Sequence, residues 1–261
     1  MTATIKDLYF YPIKSLRGLR VHEMQLEKHG PKFDREWMLV DEKGRMVTQR
    51  TMPMLAKIGV RMDDVGIELS TQGLGNIDFG LEEHEPGELK VTVWEDTVGA
   101  VEVSREVSAW FSEFAGQKLK LVRFAPNSKR AVDLLPEREI HFSDGYPLLV
   151  ISQASLKDLE KRAGVTLSMS RFRPNIVIDH VAPYAEDTWS GFETAKIKFK
   201  ALKPCSRCRI TCTHPLTGEV GKEPLQTLNT YRRQEKGAMF GYNYAHLNEG
   251  RIHVGETLKL I

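Results

Sequence analysis

Short runs rich in β-branched and aromatic residues, each closed by Gly, Pro, Asp or Asn, recur along most of the chain. IKDLYFYPI (5–13), EWMLVD (36–41), RMVTQR (45–50), KVTVWED (90–96), KLKLVRF (118–124), PNIVID (174–179), AKIKFKALK (195–203) and RIHVGETLKLI (251–261) are of this kind. Such runs suit a pleated, half-buried surface and predict a mainly β protein. Two segments break the pattern. SREVSAWFSEFAG, Ser104 to Gly116, places Val107, Trp110, Phe111 and Phe114 on one helical face, with a Ser cap before and a Gly stop after. SLKDLEKRAG, Ser155 to Gly164, carries a Ser155/Asp158 variant of the capping box, inward-facing Leu156 and Leu159, and the same terminal Gly. These predict peripheral helices on a β scaffold, an α+β arrangement. No repeat is visible. LEEHEPGELK (81–90) reads as a solvated loop, and APNSKRAVDLLPERE (125–139) as a boundary or mobile loop. The expected division is two β-rich units, residues 1–119 and 120–261.

A chain of 261 residues can bury one large core or two modest ones, and 41% hydrophobic with 28% charged residues excludes disordered and collagen-like classes. Lys plus Arg at 37 against Asp plus Glu at 35 gives net +2, too balanced to imply a nucleic-acid partner, so any anion site must be local. The N-terminus MTATIKDLYFYPIKSL lacks the apolar run of a secretory signal, and no stretch reaches the length of a membrane span. A cytoplasmic protein without membrane attachment is expected.

All the cysteines lie in KPCSRCRITC (203–212), as Cys205, Cys208 and Cys212. A Cys205–Cys208 disulfide would close too short a loop to stabilise much. Zinc or an iron–sulfur cluster wants four ligands and no second Cys pair exists; His214 could contribute the fourth, which leaves a zinc-bound interaction module as one reading. Plain core filling is a third possibility. Against it, Arg207 and Arg209 flank Cys208 and Lys203 is nearby, and cations favour the thiolate that acts as nucleophile or metal ligand. Spacing and charge alone leave a functional thiolate and a structural thiol both open.

KPCSRCRIT, followed by TG and KEPLQTL, resembles the signature of the MOSC family of molybdenum-cofactor proteins. YPIKSLRG (11–18), FDREWMLVD (33–41), FSDGYPLLVISQASL (142–156), FRPNIVI (172–178) and FGYNYAHLNEGRIHVGE (240–256) are similar to successive blocks of that family, in its order. More specifically, the chain is similar to that family's bacterial reductases of N-hydroxylated compounds and to the mitochondrial amidoxime-reducing components.

The resemblance implies a MOSC-associated N-terminal β-barrel-like domain followed by a MOSC β-barrel domain, with the molybdenum cofactor in the cleft between them. It implies Cys208 as the protein's thiolate on molybdenum, the catalytic position. It assigns cofactor contacts to Lys14, Ser15, Arg35, Asp144, Gly145, Tyr146, Arg173, Asn175, Ser206, Arg207 and Asn243. Lys14, Arg35 and Arg173 would neutralise the anionic pterin, and Gly145 would let backbone approach closely. Asp34 is a candidate to orient Arg35 by a salt bridge. Cys205 and Cys212 receive no ligand role; Cys212 stands where relatives commonly carry Thr.

The implied activity is two-electron reduction of hydroxylamines, amidoximes or N-hydroxylated bases to amines, a detoxification chemistry. The alternative is a carrier that holds sulfur or the cofactor on Cys208. Pyridoxal phosphate, sometimes associated with the family, is not expected. Some bacterial relatives carry a C-terminal ferredoxin domain; this chain ends at LKLI, so electrons are expected from a separate donor protein of ferredoxin or flavin-reductase type. His22, His29, His84, His180 and His253 receive no role. His141 and His214 lie near the motifs but are read as structural. Trp37, Trp94, Trp110 and Trp189 are read as core.

Overall fold

The computed structural model describes residues 2–261, and strands dominate it. The largest sheet has the order Leu19–Val21, Thr4–Phe10, Ile176–Asp179, Leu148–Ser152, Gly237–His246, Lys198–Ser206, Gly191–Glu193, Lys259–Leu260, with Arg233–Gln234 paired to Gly237–His246. Its pairings are antiparallel except that of Leu148–Ser152 with Ile176–Asp179. Parallel neighbours need a crossover, and a helix, Gln153–Ala163, supplies it.

Four strands, Trp37–Val40, Lys120–Phe124, Asp96–Glu102 and Leu89–Val93, form a second, antiparallel sheet. A meander of Gly59–Met62, Gly66–Thr71 and Gly75–Gly80 packs beside it. Trp37, Ile67, Leu69, Phe79, Val107, Phe111 and Leu121 close the core between these sheets and the helix Arg105–Ala115.

Chain order and sheet membership do not coincide. Thr4–Phe10 is an inner strand of the large sheet, and Glu23–Glu27 pairs with Gly250–His253 from the other end of the chain. Ile5, Leu8, Met24 and Leu26 therefore share one core with Val150, Ile176, Phe192, Phe199, Tyr244 and Ile252. Conversely, Lys120–Phe124 pairs with Trp37–Val40 and Asp96–Glu102.

Both expected helices form, and both end at a glycine in the left-handed region, Gly116 at φ 64° and Gly164 at φ 66°. The cap of the second differs from expectation. Ser152, rather than Ser155, accepts the amide of Ser155, and the helix starts at Gln153. Ser155 instead turns its hydroxyl to the buried Glu186 carboxylate at 2.7 Å. A third helix, Leu225–Tyr231, was not anticipated. RMVTQR forms no extended strand: only single bridges, Val40 with Met46 and Arg45 with Thr92, tie it to its neighbours. APNSKRAVDLLPERE folds into a hairpin of Ala131–Val132 with Leu135–Glu139, anchored by the buried Arg130.

Candidate active site

The strand Lys198–Ser206 is bulged twice, between Ala201 and Lys203 and between Pro204 and Ser206. Bulges re-aim a strand end and often stand beside active sites. Here they carry Cys205, Ser206, Arg207 and Cys208 into a cleft of about 350 Å³. The next turn, Arg209–Cys212, carries Cys212 away, where it is buried and its thiol donates to the Lys222 carbonyl at 3.4 Å. Burial pushes the Cys212 thiol up, which keeps it protonated and inert.

Every position to which the resemblance assigns a cofactor contact lines this cleft: Lys14, Ser15, Arg35, Asp144, Gly145, Tyr146, Arg173, Asn175, Ser206, Arg207, Cys208 and Asn243. Lys14 is buried and donates to the Phe142 carbonyl at 2.6 Å and to Asp144 Oδ1 at 2.5 Å. Burial lowers the Lys14 pKa against the pull of Asp144. Enclosure in the cleft pushes the Asp144 carboxyl up, but its side chain is still 65% exposed. The cations Lys14 and Arg50 and the Trp94 indole outweigh that push and hold Asp144 well below the carboxylate range.

The Tyr11 ring lies between two guanidinium groups, Arg35 at 4.2 Å and Arg173 at 4.1 Å. Its hydroxyl donates to the Pro174 carbonyl at 3.0 Å, and burial keeps it protonated. Gly18 is required here, because a Cβ would stand 2.3 Å from the ring. Asp34 pairs with Arg35, as proposed from sequence, and also accepts from the Tyr11 amide at 2.8 Å. Burial, reinforced by Arg35, lowers Arg173 to about 10. Asn175 is buried and its amide is engaged throughout, accepting from Arg35 and the Leu149 amide and donating to Tyr9 and Asp34. It ties the wall together. Ser15, Arg35 and Arg173 all adopt left-handed backbone, φ 68°, 50° and 55°. Such conformations cost energy in non-glycine residues and collect at sites where geometry matters more than local ease.

Some lining residues escaped the sequence reading as site residues: Thr48, Arg50, Trp94 and Ser143, while Lys203, read there as a cation near Cys208, does line the cleft. Arg50 Nε donates to Cys208 Sγ at 3.4 Å and its guanidinium lies 4.0 Å over the Trp94 ring. Trp94 Nε1 in turn donates to Asp144 at 3.2 Å. Assigning Trp94 to the core was therefore wrong: it is 40% exposed, with φ 57°. The alternation of buried Val91 and Val93 already puts Trp94 on the outer face. Trp37 and Trp110 are core residues as expected.

His141 lies off the cleft, stacked on His29 at 4.2 Å, and burial, then the charges of His29 and Arg123, lower it to about 3. Such a histidine stabilises the fold fully above its unfolded value near 6.5 and progressively less as pH falls toward about 3. Denaturant unfolding is expected to show lower stability at pH 5 than at pH 7, with a shallower slope for His141→Gln. An equal slope in the variant would remove His141 as a source.

The chain matches the model of the MOSC N-terminal beta barrel domain over residues 2–118 and of the MOSC domain over residues 137–259. It is 32% identical to mitochondrial amidoxime-reducing component 1 of Mus musculus, over 99% of this chain and 82% of that protein. The Homo sapiens protein of the same name is 31% identical, over 99% and 83%. Molybdenum cofactor sulfurase of Oryza sativa subsp. japonica is 30% identical over 94% of this chain but only 33% of its own length. Two family matches that together take in both ends of the chain, and relatives aligned along nearly all of it, place this protein in the MOSC family.

Proposed function

We propose that the protein is a molybdenum-cofactor-dependent oxidoreductase that reduces N-hydroxylated compounds to amines. The observation that carries this reading is the convergence of the Cys208 thiol with Lys14, Arg35, Arg50, Arg173 and Arg207 on one cleft. The donor set fits such a group. Among the described residues no three His, Cys, Asp or Glu side chains gather to hold a metal unaided, so a metal here must bring ligands of its own. Arg173 Nη2 and Arg207 Nε are buried without hydrogen-bond partners, which leaves donors for an anionic pterin. Cys208 would give a soft thiolate ligand, and Arg50 would hold its sulfur in place. When bound, the cofactor supplies the two-electron reduction of the N–O bond.

The chain's own residues bind and orient. Arg173 and Arg207 would hold the pterin, Lys14 and Asp144 are paired on the cleft wall, and Trp94 bridges Asp144 to Arg50, which donates to Cys208. Electrons come from a separate donor protein. The likeness to amidoxime-reducing components favours this reading. Freshly purified protein should contain molybdenum and a pterin, and should convert an amidoxime to the amidine with an artificial reductant. Lys14→Ala and Arg173→Ala should each weaken retention of the cofactor by roughly ten- to a hundredfold, one charge-assisted contact apiece. Full molybdenum in both variants would sink the reading.

The likeness to molybdenum cofactor sulfurase favours a second reading, in which Cys208 carries sulfur or the cofactor for another enzyme. Intact mass separates them: a persulfide adds one sulfur to Cys208 and leaves amidoximes unreduced.

A further inference from the structure

A second cavity, of about 330 Å³, lies behind the first and shares only Arg173 and Ile210 with it. It forms where four segments meet: the loop after Thr4–Phe10, the Gln49 turn, the turn Met169–Phe172, and the His214–Leu216 turn that follows the cysteine motif. Three guanidinium groups face it, from Arg17, Arg171 and Arg173. Each is held by backbone carbonyls. Arg17 donates to Ala56 at 3.0 Å and Lys57 at 3.2 Å, Arg171 to Thr213 at 3.0 Å, and Arg173 to Leu16 at 2.5 Å.

Among the described residues no carboxylate forms a salt bridge with any of the three, and no Asp or Glu lines the cavity. Arg171 Nε and Arg173 Nη2 are buried with no acceptor. Elsewhere in this protein enclosed arginines do find a carboxylate: Arg35 pairs with Asp34, Arg123 with Glu36, Arg130 with Asp96 and Arg232 with Asp187. Three cations line one cavity without a salt-bridged carboxylate, and the orphaned donor of Arg171, which the thiolate cleft does not claim, is free to receive an anion from outside the chain. The rest of the wall narrows the choice. Ser168 and Ser170 add hydroxyls, while Leu16, Ile210, Pro215 and Leu216 are apolar. His214 Nδ1 accepts the amides of Leu216 and Thr217 at 3.3 and 3.2 Å, so a neutral ring carries its proton on Nε2 and adds one more donor.

We propose that this cavity is a second binding site, for a small organic oxyanion: a phosphate or carboxylate on a compact apolar body. The guanidinium groups take the oxyanion and the apolar wall takes the body. The site shares Arg173 and Ile210 with the thiolate cleft, while Arg17, Arg171, Ser168 and Ser170 line this cavity alone.

The test is calorimetric titration of the purified full chain with phenyl phosphate, benzoate and inorganic phosphate. Phenyl phosphate is expected to saturate one site, with inorganic phosphate competing more weakly because it leaves the apolar wall unfilled. Benzoate binding to the same site would extend the class to carboxylates, and its failure to compete would overturn that extension. Arg171→Gln should weaken phenyl phosphate binding at least about tenfold, the usual loss for a charge-assisted contact. Ser170→Glu keeps every arginine and sets a carboxylate at the cavity, and it should weaken binding by a similar factor. It also serves if Arg171→Gln folds poorly. Lys203→Gln, at the other cleft, should leave binding unchanged. The proposal is overturned by the absence of saturable binding. It is equally overturned if Lys203→Gln, and neither of the other two variants, reduces the affinity, since the anion would then sit in the thiolate cleft.

Discussion

Cys208→Ser is expected to reduce amidoxime turnover by more than about a hundredfold, beyond the range usual for losing a residue that only supports a metal ligand. A hydroxyl is a hard, weakly acidic donor and a poor substitute for a thiolate on a soft, redox-active metal. Cys205→Ser is expected to do far less, although both thiols line the cleft. The reason lies in their partners. Cys205 Sγ is engaged by Arg207 Nη1 at 2.8 Å, an arginine also tied to the Phe172 carbonyl at 2.7 Å, so Cys205 serves to position that side chain. Molybdenum content and turnover, measured on both variants with circular dichroism to check folding, decide the matter. Equal losses in the two would point to a paired-thiol site and against a single ligand.

The largest effect on stability is expected from Asp34→Ala. The Asp34 carboxylate is 2% exposed and holds together three elements: the Tyr11 amide at 2.8 Å, the Arg35 guanidinium, and Asn175 Nδ2 at 3.3 Å. Without it Arg35 stays enclosed with its charge uncompensated, and the Tyr11 amide loses its acceptor. Breaking a buried pair from one side costs about 3–5 kcal/mol, a large share of the stability of an ordinary domain. Urea unfolding of Asp34→Ala against the parent measures this directly. Arg35→Met, which removes the cation instead, should cost less, because the carboxylate keeps two neutral donors. A loss below about 1 kcal/mol in Asp34→Ala would place it among ordinary surface changes and show that the Arg35–Tyr11–Arg173 stack holds itself.

Both expectations rest partly on contacts between distant segments, such as Asp34 with Asn175 and Arg50 with Cys208. The order YPIKS, FDREW, SDGYP, FRPN, CSRC and FGYNY was enough to pick out the residues that now line one cleft. Arg50 was hidden because RMVTQR has a strand's composition, while its β pairing is limited to two isolated bridges. Its role beside Cys208 joins positions 158 apart in the chain. Ser155 was mistaken for a helix cap because a serine three residues earlier does that work, and Glu186, far along the chain, takes the Ser155 hydroxyl.

What the sequence by itself determined was local: strand-forming composition, two helices stopped at Gly116 and Gly164, and one cluster holding every thiol. These follow from backbone freedom and side-chain period, which act over a few neighbouring residues. Only the tertiary structure decided that Thr4–Phe10 lies inside the sheet of the other end of the chain, that Cys208 meets the cleft while Cys212 is buried, and that Arg17, Arg171 and Arg173 face one cavity without a carboxylate. Those outcomes depend on which strand edges pair and where a bulge turns the chain. Pairing is settled by burying apolar faces from distant segments together, and no short stretch of sequence carries that information.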